Sequence, residues 1–479
     1  MSKEMSRPKI NPWIEGEFVS PSSGEYFDDL NPLDDSLYAH AALCTSEDVD
    51  RAVQSAHAAF QTYRLTLPKE REVWLCDAAD LLAKRSDELI EILVDEVGST
   101  RMKARFEISY SQAILRAAAG MTRNISGKTL PSDVPGRFSM SIRQALGVVA
   151  CITPFNIPLV KGIRLTANPL AIGNTTVLLP SEEAPVLTAQ IARLYDDAGL
   201  PKGAFNYVTG LGHVIGDSLT THPLVRAVSF TGSSVVGKHI RSLCANHGKN
   251  VILELGGKSP LVVLKDADID KAAADAVFSI FINQGQICMG ASRIYVERPV
   301  FDAFLAKYVE NTRKVGMGDL RSPATMIGPL INKRQRDRVR SHIEDAVAKG
   351  ARVVTGGKWH GNRCEPTILT GVKAGMTLCK EETFGPVTSV YPVASAEEAL
   401  ALANDSVYGL SAAIYTSNIT TALKFALDVK SGMVHINAPT AHDEPHVPFG
   451  GVGESGIGRE GTEGDIEALT EWKWITVQL

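Results

Sequence analysis

The sequence predicts an α/β protein with two doubly wound, largely parallel sheets and a small antiparallel ribbon beside them. Three observations lead there. The chain has 479 residues, more than one hydrophobic core usually serves. Short β-branched runs alternate with amphipathic helical stretches, both before Cys288 and again after it. One further segment alternates apolar and polar residues in a way that neither block shares.

Taken in order, residues 45–60 read as a helix. Val49, Ala52, Val53, Ala56 and Phe60 fall on one stripe, and Thr45 with Asp48 three positions on makes a capping pair. Residues 138–143 alternate as a strand with one buried face. An isolated ribbon is marginal in water, so this strand packs on another subunit or pairs with the apolar chain end at 472–477. An ordinary surface hairpin is an equal alternative. Runs 147–152, 175–179, 225–230 and 261–264 read as buried strands, and residues 184–198 as a helix stopped by Gly199 and Pro201. Runs 293–296, 387–392 and 433–437 supply the second sheet.

Composition narrows the function. Charge and hydrophobic content are those of a globular protein, and the net charge is −5. That argues against a nucleic-acid partner, which needs a basic footprint, and against a membrane surface, which needs clustered Lys and Arg. No apolar run is long enough to span a bilayer. The first residues mix Lys3, Glu4, Arg7 and Lys9 with proline and lack the apolar core of a secretory leader. The seven cysteines (Cys44, Cys76, Cys151, Cys244, Cys288, Cys364 and Cys379) are scattered, odd in number and without a CxxC pair. A reducing, cytoplasmic compartment is expected.

Four segments carry chemistry. Cys288 follows Asn283-Gln284-Gly285-Gln286-Ile287, whose glycine and polar amides suit an accessible loop more than a core. A thiol there would be a nucleophile toward a carbonyl; a small packed hydrophobe is the plain alternative. Glu254, between leucines and before Gly256-Gly257-Lys258, would have a raised pKa if buried, as a general base near neutral pH requires. The competing reading is a bridge to Lys258. Thr153-Pro154-Phe155-Asn156-Ile157-Pro158 fixes Asn156 after a strand, where its amide could hold an oxyanion or merely cap a turn. Phe230-Thr231-Gly232-Ser233-Ser234-Val235-Val236-Gly237 ends a strand and opens a helix, which makes a phosphate site. Gly210, Gly212 and Gly216 form a looser glycine pattern nearby.

Two patterns mislead. Gly451-Val452-Gly453-Glu454-Ser455-Gly456 fits G-x-G-x-x-G, but no helix follows and Glu454 would repel phosphate. His442 and His446 have helical metal-pair spacing, yet Pro445 between them breaks a helix, so they are read as loop residues and no metal is expected.

Together these segments, with Glu381 to Pro386 and Pro448 to Gly451, resemble the aldehyde dehydrogenase superfamily, in the right order over nearly the whole chain. The resemblance implies that fold, with a Rossmann-like cofactor domain (residues 1–122 and 146–256), a catalytic domain (257–448) and oligomerisation segments (123–145 and 460–479) of a homodimer or homotetramer. It implies NAD as cofactor, with NADP possible, and a small-molecule aldehyde as substrate. Cys288 would be the nucleophile, Glu254 the base that activates water, and Asn156 with the Cys288 backbone N–H the oxyanion hole. Thr153, Pro154, Phe155, Gly210, Phe230, Thr231, Gly232, Ser233, Gly237 and Leu255 would line the cofactor cleft. Glu382 would hold the nicotinamide ribose with Phe384 beside the ring, and Glu182 the adenosine ribose, where a carboxylate favours NAD. Glu460 matches a carboxylate used in proton relay by some members.

One departure stands out. The family's usual V-x-K-P run reads Val177-Leu178-Leu179-Pro180 here, so the ribose loses a charged donor and weaker NAD binding is expected. Residues 283–289, 442–445 and 470–476 resemble the benzaldehyde, vanillin and salicylaldehyde dehydrogenase branch, which implies an aromatic aldehyde. Aliphatic aldehydes or semialdehydes are the alternative, and a CoA-acylating enzyme a lesser one, since that type usually lacks the glutamate. Arg164 could meet a polar ring substituent or form a structural ion pair.

Overall fold

The computed structural model describes residues 7–479; Lys3 and Glu4 of the leader argument lie outside the described residues. Two sheets dominate. The first has eight strands in the order Gly456–Ile457, Asn250–Glu254, Val225–Thr231, Val148–Ile152, Thr175–Leu179, Phe205–Tyr207, Trp13–Ile14 and Glu17–Phe18. Its five central strands run parallel, and the short edge strands antiparallel. The second has seven strands, Arg352–Thr355, Thr367–Thr370, Val387–Val393, Arg293–Glu297, Pro260–Val263, Ser411–Tyr415 and Met433–Ile436, of which only the first is antiparallel to its neighbour.

The strands form where buried apolar runs leave no room for a polar face. Thr175–Leu179 is buried at every position, as are Pro260–Val263 and Ser411–Tyr415. The helix Ser46–Tyr63 starts on a capping box, Thr45 accepting from the backbone and Asp48 answering to the Thr45 N–H, and buries Val49, Ala52, Val53 and Ala56. The helix Pro185–Asp197 stops before Gly199, whose φ of 79° no β-carbon favours.

The alternating segment is the strand Arg137–Ala145. It pairs antiparallel with Thr470–Gln478, Phe138 opposite Val477 and Arg143 opposite Trp472, while Lys128–Leu130 covers its other edge. Pairing with the chain end is therefore what the structure adopts. The ribbon stays apolar on its outer face: Trp474 is 69% exposed although its indole N–H donates to Ser139 Oγ at 2.8 Å.

The connectivity sets the site. Because the central strands of the first sheet are parallel, the segments after Ile152, Leu179, Thr231 and Glu254 leave from one edge. Cys288, Glu382 and Lys258 precede the second-sheet strands beginning at Arg293, Val387 and Pro260. Those strands run parallel to one another, so the three residues gather at that sheet's opposite edge. The two edges face each other.

Candidate active site

Hydrogen bonds stitch the two edges together. Asn156, at the exit of Val148–Ile152, donates from Nδ2 to the Gln286 carbonyl at 3.0 Å. Asn283 returns the contact, its Nδ2 donating to the Asn156 carbonyl at 3.0 Å and the Gln286 carbonyl at 3.1 Å. So Asn156 does not cap its own turn. It is clamped to the loop that carries Cys288, and its second N–H is left to point elsewhere.

That loop differs from the accessible one the amides suggested. Asn283, Gln284 and Gln286 are buried, and Cys288 is half-buried. The amides satisfy interior backbone groups: Gln284 Oε1 accepts from the Gly328 N–H at 3.1 Å and Gln286 Oε1 from the Ile331 N–H at 3.0 Å. Asn283, Gln284 and Gly285 all have positive φ, a run that only such over-determination sustains. Close packing completes it. A β-carbon on Gly257 would sit 2.3 Å from the Cys288 carbonyl oxygen, and one on Gly285 would sit 2.0 Å from the Gly385 oxygen. Enclosure pushes the Cys288 thiol up to about 12, with Lys161 opposing and Glu382 and Glu254 adding to the rise.

Glu254 ends its strand 2% exposed, and neither carboxylate oxygen has a hydrogen-bond partner among the described residues. It does not bridge to Lys258, whose Nζ is also buried and unpartnered. Gly450 leaves room for the carboxyl, since a β-carbon there would lie 2.6 Å from Glu254 Oε1. Burial, then the charge of Glu460, raises the Glu254 pKa well above the carboxylate range, while Lys161, Arg459 and Arg164 oppose. Desolvation outweighs three cations because nothing touches the oxygens directly.

Glu460 lies behind Glu254. Lys161 Nζ donates to Glu460 Oε2 at 2.6 Å, Arg164 approaches that oxygen at 3.6 Å, and Thr231 Oγ1 reaches Oε1 at 3.4 Å. Lys161 escaped the reading of the sequence. Its signal is a cation in the Pro158–Ile172 helix, which is buried at all fifteen positions. A charge there must have a partner. Arg164 forms the structural ion pair, with Asp443 Oδ2 at 2.6 Å, and also donates to Tyr110 Oη at 3.1 Å.

The residues that the family resemblance assigns to a cofactor lie on the segments that leave the same two sheet edges. Glu382 Oε1 accepts from the Gly257 N–H at 2.9 Å, and its carboxylate fills the space that a β-carbon on Gly256 would need. Phe384, at φ 54°, sets its ring edge-on to Phe155 at 5.9 Å. Gln335 holds this segment by donating to the Thr383 and Phe384 carbonyls at 2.8 and 2.7 Å. Ser233 caps the helix Ser234–Asn246, its Oγ accepting from the Val236 N–H at 3.4 Å. Phe230 and Thr231 end the adjoining strand, the Gly232 N–H donates to the Glu254 carbonyl at 3.0 Å, and Gly237 presses on Leu255. Thr153 is tied to the Leu179 carbonyl at 3.1 Å, Pro154 follows it, and Gly210 lies beside Ile215. Glu182 makes no side-chain hydrogen bond among the described residues; its neighbour Glu183 takes Asn332 at 2.6 Å. Leu179 is 1% exposed and packs in the apolar core with Val177.

The two misleading patterns are structural. Gly456–Ile457 pairs with Leu253 and Glu254, and Val452–Gly453 with Tyr408–Gly409, so the glycine run backs Glu254. His442 and His446 lie outside helices and strands and flank Glu444.

A helix N-terminus, a clamped amide, an enclosed thiol and an unpartnered carboxyl in one cleft suit acyl chemistry with a nucleotide. Comparison decides the family: the model of the aldehyde dehydrogenase family matches residues 18–475. The chain belongs to the aldehyde dehydrogenase family. It is 42% identical over 468 residues to a vanillin dehydrogenase of Pseudomonas fluorescens, covering 97% of each protein. The crystal structure of a salicylaldehyde dehydrogenase from Pseudomonas putida G7 complexed with salicylaldehyde superposes with a TM-score of 0.96 at 37% identity, covering 99% of each chain. A betaine aldehyde dehydrogenase from Staphylococcus aureus in complex with NAD+ superposes with a TM-score of 0.95 at 31% identity, covering 98% of this chain and 94% of the other. Among the described residues no helix is long and apolar enough to cross a membrane.

Proposed function

We propose that this aldehyde dehydrogenase oxidises an aromatic aldehyde to its carboxylic acid with NAD, through a thioester on Cys288. The observation that carries the reading is the meeting of three far-apart segments: the Cys288 loop, Asn156 bonded to that loop at Gln286, and Glu254 buried beside them without a partner. The relatives named for vanillin and salicylaldehyde supply the substrate class.

Cys288 gives its thiol proton to water, and the thiolate sulfur attacks the aldehyde carbon. The charge growing on the aldehyde oxygen meets the free N–H of Asn156 Nδ2 and the Cys288 backbone N–H. The cofactor, when bound, supplies the hydride acceptor. Loss of hydride from the thiohemiacetal carbon leaves a thioester on sulfur. Glu254 then takes a proton from water, the oxygen adds to the thioester carbon, and the acid departs as the C–S bond breaks. The raised Glu254 pKa makes its carboxylate a strong enough base for that step. Lys161 and Glu460 lie behind Glu254 to pass the proton on. CoA acylation is the less favoured reading, because it would leave Glu254 idle.

The cleft suits a dinucleotide. The first turn of Ser234–Asn246 carries no acidic residue, and Val235 and Val236 expose apolar surface for an adenine. Glu182, free of other partners, suits a ribose hydroxyl and opposes a 2′-phosphate. The exposed apolar ribbon supports a homodimer or homotetramer. Seven free cysteines suit the cytoplasm.

The test is growth of reduced-nicotinamide absorbance on adding benzaldehyde with NAD or NADP, followed by product analysis with and without CoA. Free benzoate formed with NAD and no CoA is expected. An acyl-CoA product alone, or no turnover of any aromatic aldehyde, would sink the reading.

A further inference from the structure

Three buried polar atoms without hydrogen-bond partners among the described residues lie beyond the catalytic cluster: Asp443 Oδ1, His435 Nε2 and Arg164 Nε. They come from three segments. Arg164 lies on Pro158–Ile172, His435 on Met433–Ile436, and Asp443 on the loop that follows it. Native proteins leave few such atoms unsatisfied, and a cluster of them beside a reaction centre marks a place for a polar ligand group.

The cluster borders the substrate side of Cys288. Met433 and Cys288 both pack against the cluster of Met289, Leu410 and Phe449, and His435, two positions on along the same strand, shares the face of Met433. The Arg164 guanidinium lies over the Phe449 ring at 5.7 Å. Thr440, between His435 and Asp443, ties this segment to the nucleophile loop by donating to the Met289 carbonyl at 2.7 Å. The wall is thus apolar near the sulfur and polar farther away.

Asp443 is divided in function. Its Oδ2 is spent on Arg164 at 2.6 Å, which fixes the carboxylate; its Oδ1 is free. Arg164 is itself held by Tyr110 Oη at 3.1 Å and the Glu444 carbonyl at 3.3 Å. The His435 ring stands edge-on to His442 at 5.6 Å. Burial holds His435 down to about 4, hence neutral at pH 7, with one nitrogen to donate and one to accept.

We propose that Asp443 and His435 are specificity-determining residues that select aromatic aldehydes carrying a ring hydroxyl, the hydroxyl donating to Asp443 Oδ1 and accepting from His435 Nε2. The proposal rests on the aromatic reading above and adds the pair that would recognise the substituent. An unsubstituted ring would leave the acceptor and donor buried and unpaired, which is how polar sites reject an analogue lacking the group.

The test compares kcat/KM with NAD for benzaldehyde and for 2-, 3- and 4-hydroxybenzaldehyde, in the wild-type protein and in His435→Phe and Asp443→Asn. The wild type is expected to prefer at least one hydroxylated isomer. His435→Phe, which keeps an aromatic ring against His442, should lower that preference ratio roughly five- to tenfold, chiefly through KM. Asp443→Asn should lower it too; if loss of the Arg164 pair unfolds that variant, His435→Phe still decides. A wild type that oxidises all four aldehydes equally, or a ratio unmoved by His435→Phe, overturns the proposal while leaving aromatic oxidation standing. No turnover of any of the four overturns the reading beneath it.

Discussion

The two halves of the cleft are built in opposite ways. Around Cys288 the main polar contacts join segments far apart in the chain, as with Asn156 and Gln286 or Lys161 and Glu460, and almost everything is buried. Along the rim at Ser233 and Glu182 the features are local: a serine capping its own helix, a carboxylate with no side-chain hydrogen bond among the described residues, and Val235 at 80% exposure. The contrast separates two properties. Fixed, dehydrated groups act on a transition state and govern kcat. Exposed groups contribute to binding and govern the cofactor KM. Substitutions should divide along that line.

The sharpest way to break the comparison is at the sulfur. Cys288→Ala should abolish aldehyde oxidation while NAD still binds, as followed by cofactor titration. A variant that keeps oxidising removes Cys288 from the mechanism. Next in size is Asn156→Ala, which withdraws an oxyanion donor and loosens the Gln286 contact. A fall in kcat on the order of 100- to 1,000-fold is expected with little change in the NAD KM. A change confined to KM would place Asn156 on the rim instead.

A third test uses pH. Both Glu254 and Cys288 have pKa values raised by enclosure, so each is protonated well above the range of its free side chain. The reactive forms are the carboxylate and the thiolate, and both gain population as pH rises. Activity should therefore climb from neutral into alkaline pH, where an ordinary exposed carboxylate would give a flat profile. Glu254→Gln should slow hydrolysis of the thioester and expose a burst of reduced cofactor. A wild-type profile already flat at pH 6 would mean that the base is not enclosed as Glu254 is.

What was legible in the sequence follows the same division. Short-range chemistry could be read: Thr175–Leu179 has the predicted bounds, and the Thr45–Asp48 pair forms as a capping box. Hydrophobic alternation located the ribbon, and the apolar chain end supplied one of its two candidate partners. Long-range satisfaction could not be read. The amides of the Cys288 loop look like surface residues because sequence records polarity, not what satisfies it; inside, Gln284 and Gln286 serve Gly328 and Ile331. For the same reason Lys258 beside Glu254 suggested a bridge. Two of the three cations that oppose the rise, Lys161 and Arg164, lie on a helix about ninety positions upstream and also approach Glu460.

The smallest effect should come from the rim, at Leu179. The residue ends a strand of the first sheet, paired with Ile152, and its side chain joins the core that holds Val177 and Phe230. A lysine there could run its apolar stem along the same surface and carry its ammonium out toward the segment that leads to Glu182. That would add a donor for a ribose hydroxyl and partly offset the carboxylate's charge. Leu179→Lys should therefore lower the NAD KM about threefold, one exposed hydrogen bond's worth, and leave kcat nearly unchanged. It should also ease NADP binding, because an ammonium attracts a 2′-phosphate. A fall in kcat without a change in KM would show instead that burying the lysine stem disturbs the strand feeding Thr153 and Asn156, and that rim and reaction centre are less separable than their construction implies.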